Sequence, residues 1–271
     1  MRYLIEKEIF RGGFATVYRG VDVAQRPAAI KKYHKDFLDK EVAQFLTNSV
    51  RTHKLLNPES SRFPKLYCHD DRTLVMELID GIDLSSLGRP PTEVEALATG
   101  YQLAICLSEF HDTRPEKPLV HRDVKPCNMI ARPNGELVLC DFDLAYIDEQ
   151  SVDGSDRMIG TPQFYSPEQI QGREVLPISD LFSVGSTLYK LLTGKVVMNN
   201  GQGDIEAKVT SALSGLGYGG IKEVIATCWR RGRRYESAEH MTSELANRLR
   251  RIGIDPEKSH EVLVGLVAVG N

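Results

Sequence analysis

The 271-residue chain lacks most of the features that place a sequence at sight. Its five cysteines (Cys68, Cys106, Cys127, Cys140 and Cys228) are an odd number with no CxxC pair. That fits reduced thiols in a cytoplasmic setting better than a disulfide framework or a zinc site. The longest apolar run, Val262–Val269, falls far short of the ~20 residues a membrane-spanning helix needs. It is expected to pack on the body as a tail strand or helix. An acid as early as Glu6 interrupts any secretory signal core. There is no excess of positive charge either: 34 Lys and Arg stand against 37 Asp and Glu, a formal net charge of −3. A global basic field for holding a nucleic-acid backbone is therefore absent. No internal repeat or low-complexity tract interrupts the chain. With 41% hydrophobic and 26% charged residues it has ample material for a core, as one domain or two lobes sharing a cleft.

The texture changes along the chain. From Arg2 to about Val23 the pattern is strand-like, interrupted by Gly12-Gly13 and the small Ala15. A second short run, Ala28–Lys31, follows Pro27. Phe37 to Leu56 predicts a helix, with Leu38, Val42, Phe45, Leu46 and Val50 at spacings of three and four, ended by Asn57-Pro58. Leu66-Tyr67 and Thr73–Ile79 return to strand character around the turn Asp70-Asp71-Arg72. After Gly81 helices dominate. Thr92 with Glu95 is a capping box opening a helix whose Val94, Leu97, Tyr101, Ala104 and Phe110 face a core. Short β-type runs fall at Leu119-Val120 and Leu137–Leu139. Further helices are predicted at Ser179–Leu192, stopped by Thr193-Gly194, and at Glu223–Trp229 and Ala238–Ile252. The reading is an α+β fold: a β-rich lobe over 1–79, a larger helical lobe over 80–252 and a tail over 253–271.

The string that carries chemistry is His121-Arg122-Asp123-Val124-Lys125-Pro126-Cys127-Asn128, followed thirteen positions later by Asp141-Phe142-Asp143. Phosphoryl transfer from a nucleotide asks a protein mainly to position groups and neutralise charge. A carboxylate must accept the hydroxyl proton, a cation must sit on the moving phosphate, and oxygen ligands must hold a divalent metal. Asp123, Lys125, Asn128 and Asp141 supply those roles in order. Asn and Asp oxygens suit a hard cation such as Mg²⁺, with Mn²⁺ as an alternative.

With these motifs the chain resembles a eukaryotic-like (Hanks-type) serine/threonine protein kinase from about Tyr3 to Ile252. The resemblance implies a bilobal protein-kinase fold, with a small antiparallel β-rich N-lobe holding one helix and a larger, mainly helical C-lobe. It implies Asp123 as catalytic base, Lys125 on the phosphate, and Asn128 and Asp141 as metal ligands. Lys125, two residues after Asp123, resembles the Ser/Thr branch. Ala29-Ile30-Lys31 matches the strand lysine that pairs with the α- and β-phosphates of ATP; the neighbouring Lys32 is a rival. The helix partner of Lys31 should be a glutamate, and Glu41, the one Glu between Lys31 and Pro58, is the candidate, only ten positions on. Leu74–Leu84 resembles the segment joining the lobes: Met76 behind the adenine, the backbone of Glu77 and Ile79 at its edge, Asp83 at the ribose. Gly160–Glu168 resembles the end of the activation segment, with Thr161 near Asp123 and Lys125. Glu168 is expected to pair with Arg234, or with its rival Arg233. Asp180 should hold the catalytic-loop backbone, a structural role.

The chain also departs from the family. Against G-x-G-x-x-G-x-V it reads Phe10-Arg11-Gly12-Gly13-Phe14-Ala15-Thr16-Val17, so only Gly12 of the three pattern glycines is kept. A phosphate lid is still expected here, stiffer than usual, with Val17 over the adenine. Asp143 stands where the family's DFG pattern has glycine. The favoured expectation is that it turns outwards and caps Leu144-Ala145; the alternative is a third carboxylate beside the metal. Arg122 before the catalytic Asp suits a phosphate on the activation segment, with Ser151 and Ser155 as acceptors. The basic cluster Arg230, Arg231, Arg233 and Arg234 reads as a solvated helix surface plus one ion pair, because no aromatic platform accompanies it.

These readings lead to an ATP-dependent transferase acting on Ser or Thr hydroxyls of a protein substrate, itself included. It is expected to bind no nucleic acid, to carry no membrane segment, and to take its signal from a partner or fused regulatory domain. A pseudokinase scaffold is the rival that Phe10, Ala15 and Asp143 favour. The set Lys31, Asp123, Lys125, Asn128 and Asp141 argues against it, and the segment Gly160–Glu168 argues against a small-molecule phosphotransferase of the aminoglycoside-kinase kind.

Overall fold

A computed structural model describes residues 3–22, 24–35, 39–147, 161–197, 205–215, 217, 219–230, 232 and 234–268. Three strands open the chain: β1 (Tyr3–Arg11), β2 (Ala15–Asp22) and β3 (Pro27–Tyr33). The helix α1 (Asp39–Leu55) follows, then β4 (Leu66–His69) and β5 (Thr73–Glu77). The five strands form one antiparallel sheet in the order β1-β2-β3-β5-β4. Alternation along β3 turns Ala29, Lys31 and Tyr33 to one face, where Ala15, Tyr33, Leu74, Val42, Phe45, Leu46 and Val50 join sheet to helix. Ala28, Ile30 and Val75 form a smaller cluster on the other face.

Beyond the sheet, β6 (Ile82–Asp83) begins a second, three-stranded sheet that neither its length nor its composition announces. Gly81 enters it with φ +155°, and a Cβ there would lie 2.2 Å from the Ala131 carbonyl oxygen. Only glycine fits that close approach of the β6 entry to Ala131. The long helix α2 (Glu93–Asp112) starts on the expected capping box: Thr92 N–H donates to Glu95 Oε2 at 2.7 Å, and Glu95 N–H to Thr92 Oγ1 at 3.3 Å. The hairpin of β7 (Met129–Ala131) and β8 (Leu137–Leu139) completes the sheet with β6. Then come α3 (Pro167–Ile170), α4 (Pro177–Thr193), α5 (Ile205–Ser214), α6 (Gly219–Trp229), α7 (Ala238–Arg251) and α8 (Ser259–Ala268). Gly194 ends α4 at φ +69°, the left-handed cap its position predicts. The architecture is a β-rich lobe with one helix joined to a larger helical lobe, the expected α+β fold.

The larger core runs through α2, α4, α6 and α7, around Phe110, Leu188, Trp229 and Leu245. It extends into α8, whose Leu263, Leu266 and Val267 are buried. Within the expected tail, residues 259–268 are thus helical and built into the body. No helix among the described residues is long and apolar enough to cross a membrane.

Candidate active site

Asp180 at the start of α4 organises the loop that carries His121–Asn128. Buried at 1% exposure, it accepts the backbone N–H groups of His121 and Arg122, each at 2.8 Å, and His111 Nε2–H at 2.9 Å. The loop needs this anchor because Arg122 adopts a left-handed φ of 68°. A residue other than glycine there costs about 1–3 kcal/mol and persists only when its surroundings hold it. His121 completes the hold: its Nε2–H donates to the Cys140 carbonyl at 3.1 Å while Nδ1 accepts Asp123 N–H at 3.3 Å. Burial keeps this imidazole neutral by lowering its pKa.

Asp123 is 7% exposed. Its Oδ2 accepts Lys125 Nζ at 2.6 Å and Asn128 Nδ2 at 3.0 Å. Its Oδ1 is buried and without a hydrogen-bond partner among the described residues. A buried carboxylate oxygen left bare is costly unless something else is to occupy it. Burial raises the Asp123 pKa above the ordinary carboxylate value and outweighs the pull of Lys125. For Lys125 burial opposes the charge, but Asp123 prevails and its pKa rises. Lys125 Nζ also donates to Thr161 Oγ1 at 2.8 Å, so one ammonium joins this loop to the 161–168 stretch.

The β7–β8 hairpin brings Asn128 and Asp141 together. Cys140 N–H donates to the Asn128 carbonyl at 2.8 Å, so the residues flanking the hairpin are backbone neighbours. Asp141 has a left-handed φ of 70° and is partly exposed. Lys31 Nζ lies 2.7 Å from its Oδ1 and holds its pKa below the ordinary carboxylate range, against the effect of burial. An amide oxygen and a carboxylate are hard donors, and no cluster of three His, Cys, Asp or Glu groups that could hold a metal exists among the described residues. That donor set fits a magnesium ion leaning on substrate phosphates rather than a closed protein cage.

Lys31 is buried in β3, and the carboxylates recorded at ion-pairing distance from it are Asp141 and Asp143, not Glu41. Glu41 lies in the first turn of α1, half-buried. The rival Lys32 points to the other face, over the Tyr3 ring. Asp143 overturns the expectation that it faces outwards. It is buried, 2.8 Å from Lys31 Nζ, and accepts the Tyr33 hydroxyl at 2.8 Å. The physical reason is that two inward donors on β3 offer it more than solvent does. The left-handed φ of this segment falls on Asp141, so no glycine is required two residues on, at 143. Tyr33 and Asn48 went unnoticed in the sequence. Tyr33 was findable, since alternation puts it on the face of Lys31; Asn48 shows as a polar residue amid the apolar stripe of α1.

The phosphate-lid candidates form the β1–β2 turn. Gly12 N–H donates to the Ala15 carbonyl at 2.9 Å. Phe10 is exposed, Arg11 pairs with Glu8, Gly13 is exposed, and Ala15 is buried. Phe14 folds onto Phe45 of α1, ring centroids 5.1 Å apart. His34 straps the turn: its Nδ1–H donates to the Gly13 carbonyl at 3.2 Å and its Nε2 accepts Thr16 Oγ1–H at 2.9 Å. The turn is thus stiffened by side chains where the pattern's glycines are missing. Val17 pairs in register with Lys31, and Met76 with Ala29. Ile79 is buried, and the Glu77 carboxylate binds Arg132 at 3.1 Å. Asp83 is engaged as a cap: it accepts Ser85 N–H at 2.9 Å, the Ser86 hydroxyl at 2.7 Å and the Ser85 hydroxyl.

Arg234 Nη1 lies 2.5 Å and Nη2 3.1 Å from the Glu168 carboxylate; the rival Arg233 lies outside the described residues. So do the acceptor candidates Ser151 and Ser155.

A family model described as a protein kinase domain matches residues 3–243. Among curated proteins, the chain is 36% identical over 203 residues to serine/threonine-protein kinase PknL of Mycobacterium tuberculosis, covering 71% of this chain and 49% of that protein. It is 32% identical over 207 residues to serine/threonine-protein kinases PknA of Corynebacterium glutamicum, covering 71% of this chain and 43% of that protein. It is 29% identical over 204 residues to probable serine/threonine-protein kinase PknB of Lactococcus lactis, covering 72% of this chain and 32% of that protein. The chain therefore spans half or less of the length of these relatives.

Proposed function

The chain belongs to the protein kinase domain family, and from that premise we propose that it transfers the γ-phosphate of ATP to serine and threonine hydroxyls of protein substrates, itself among them. The family uses ATP and a divalent metal in general; Mg²⁺ is the ion we assign, with Mn²⁺ able to substitute. One observation carries the reading above all: Asp123 keeps one oxygen saturated by Lys125 and Asn128 and the other buried and, among the described residues, without a partner. A bare, buried carboxylate oxygen with a raised pKa is arranged to take a hydroxyl proton.

The remaining roles follow from position. Asp123 orients the acceptor hydroxyl and receives its proton at Oδ1. Lys125, held between Asp123 and Thr161, presents positive charge to the transferring phosphate. Lys31 does the same for the inner phosphates. Asn128 and Asp141 would hold the metal, which supplies charge neutralisation at the phosphates when bound. Thr161 narrows the acceptor to a short hydroxyl side chain by occupying the Lys125 ammonium beside the base. A pseudokinase has no use for this complete set, and relatives of the chain are named serine/threonine-protein kinases. The test is transfer from γ-labelled ATP to peptide pools that differ only in acceptor residue. Label in Ser and Thr pools and none in the Tyr pool supports the proposal; preference for Tyr, or no transfer to any pool, refutes it.

A further inference from the structure

Lys31 has two carboxylate partners with different prospects. Asp141 is the one whose oxygens the metal would claim. Asp143 has no such call on it, and every contact it makes is internal. Its Oδ2 lies 2.8 Å from Lys31 Nζ, its Oδ1 accepts Tyr33 Oη–H at 2.8 Å, and it is 7% exposed. Lys31 and Tyr33 are two residues apart in β3, so a single strand presents both donors to it. The backbone is pinned as well. Asn48 Nδ2 on α1 lies 2.8 Å from the Asp143 carbonyl, 2.6 Å from that of Ala145 and 3.3 Å from that of Phe142.

We infer that Asp143 is a positioning residue, the standing counter-ion that keeps the Lys31 ammonium fixed toward the nucleotide phosphates without an ion pair from Glu41. The consequence is that Lys31 is set by the segment beside it, and α1 contributes through the neutral Asn48 amide. A second consequence concerns Asp141: with Asp143 sharing Lys31, the metal-binding carboxylate is not tied up by the lysine alone. What Lys31 is fixed toward rests on the kinase reading above; the pairing itself belongs to the resting protein.

The sign of the effect makes the test sharp. Asp143→Asn removes a negative charge near a polyanion site, so bulk electrostatics alone predicts tighter ATP binding. Loss of the fixed ammonium predicts the reverse. We expect calorimetric affinity for Mg·ATP to weaken about tenfold in Asp143→Asn, and KM for ATP to rise in step while kcat falls less than about threefold. Tyr33→Phe, which keeps the charge but removes one donor, should weaken binding by about threefold. Glu41→Gln should affect binding less than Asp143→Asn. Unchanged or tighter Mg·ATP binding in folded Asp143→Asn, or a larger loss in Glu41→Gln, overturns the inference. Should Asp143→Asn fail to fold, as read by circular dichroism, Tyr33→Phe decides: affinity equal to that of the parent chain refutes the role. The binding readout separates this idea from the kinase reading. A parent chain that binds Mg·ATP but transfers no phosphate refutes the latter and leaves the comparison of variants standing.

Discussion

Replacing Asp180 by asparagine keeps the shape of the side chain and reverses the polarity of half its head. In the folded protein that carboxylate takes three donors, the backbone N–H groups of His121 and Arg122 and the ring of His111, at 2.8–2.9 Å. An amide offers one acceptor oxygen and turns an NH₂ group towards N–H groups that cannot accept. At least one buried donor loses its partner, at about 1–3 kcal/mol, and the hydrogen bonds that remain lose their charge. Breaking a buried charged contact of this kind typically costs about 3–5 kcal/mol. The left-handed Arg122 (φ 68°) then has less to hold it, so its stored strain works against the native loop. For a chain of this size 1 kcal/mol moves the thermal midpoint by about 2–4 °C. The expected fall is therefore on the order of 10 °C, read by circular dichroism. Transfer should be measured at a temperature where the variant is still folded, and it should drop about a hundredfold, because a small misplacement of Asp123 is enough. A midpoint within about 2 °C of the parent chain, together with transfer within threefold, refutes the reasoning.

Two further outcomes follow from the same geometry. Burial lowers the pKa of His53 to about 4, with Nε2 beside Phe142 and without a hydrogen-bond partner among the described residues, and Nδ1–H donating to the Ser49 carbonyl at 2.8 Å. Its unfolded pKa is about 6.5, so the unfolded chain takes up a proton first; this share of stability is full above about pH 6.5 and is lost as pH falls towards 4, at about 1.4 kcal/mol per pH unit. The gap in thermal midpoint between the parent chain and His53→Leu should shift in favour of the variant from pH 7 to pH 4.5, and a constant gap contradicts the assignment. Leu263 on α8 is 1% exposed, so Leu263→Ala should cost about 2–5 kcal/mol in urea unfolding, and a loss under about 0.5 kcal/mol would mean that α8 does not belong to the folded body.

What the sequence reveals here depends on how far its signals reach. Periodic helices and their caps are local, so Thr92-Glu95 and Gly194 mark their ends correctly. The strand β6 has two residues and exists only because it finds β7 across 47–49 positions, which no local pattern could show, whereas β7 also pairs with β8 in a local hairpin. The string His121–Asn128 stood out because its residue types and spacing are tied to one chemistry, and Lys125 does contact both Asp123 and Thr161. Asp180, Glu168 and Arg234 also lie where their positions in the motifs imply. The Lys31 partner was not legible. Residue type suggested a helix glutamate, whereas the fold supplies Asp143, 112 positions along the chain, in a place where burial and two strand donors decide the outcome. The apolar run near the C-terminus packs on the body as expected; the run shows that it will be buried, but not that α2 is the surface waiting for it.

The central claim is that Asp123 is the base of an active phosphotransferase. Intact-mass spectrometry of the purified chain with Mg·ATP and a Ser/Thr peptide, beside its Asp123→Asn variant, tests it most directly. The account predicts steps of one phosphate in the peptide with the parent chain, and a rate lower by about 10²–10⁴-fold in a variant that still binds ATP. Equal rates for the two proteins, or no phosphate transferred by the parent chain, would contradict it.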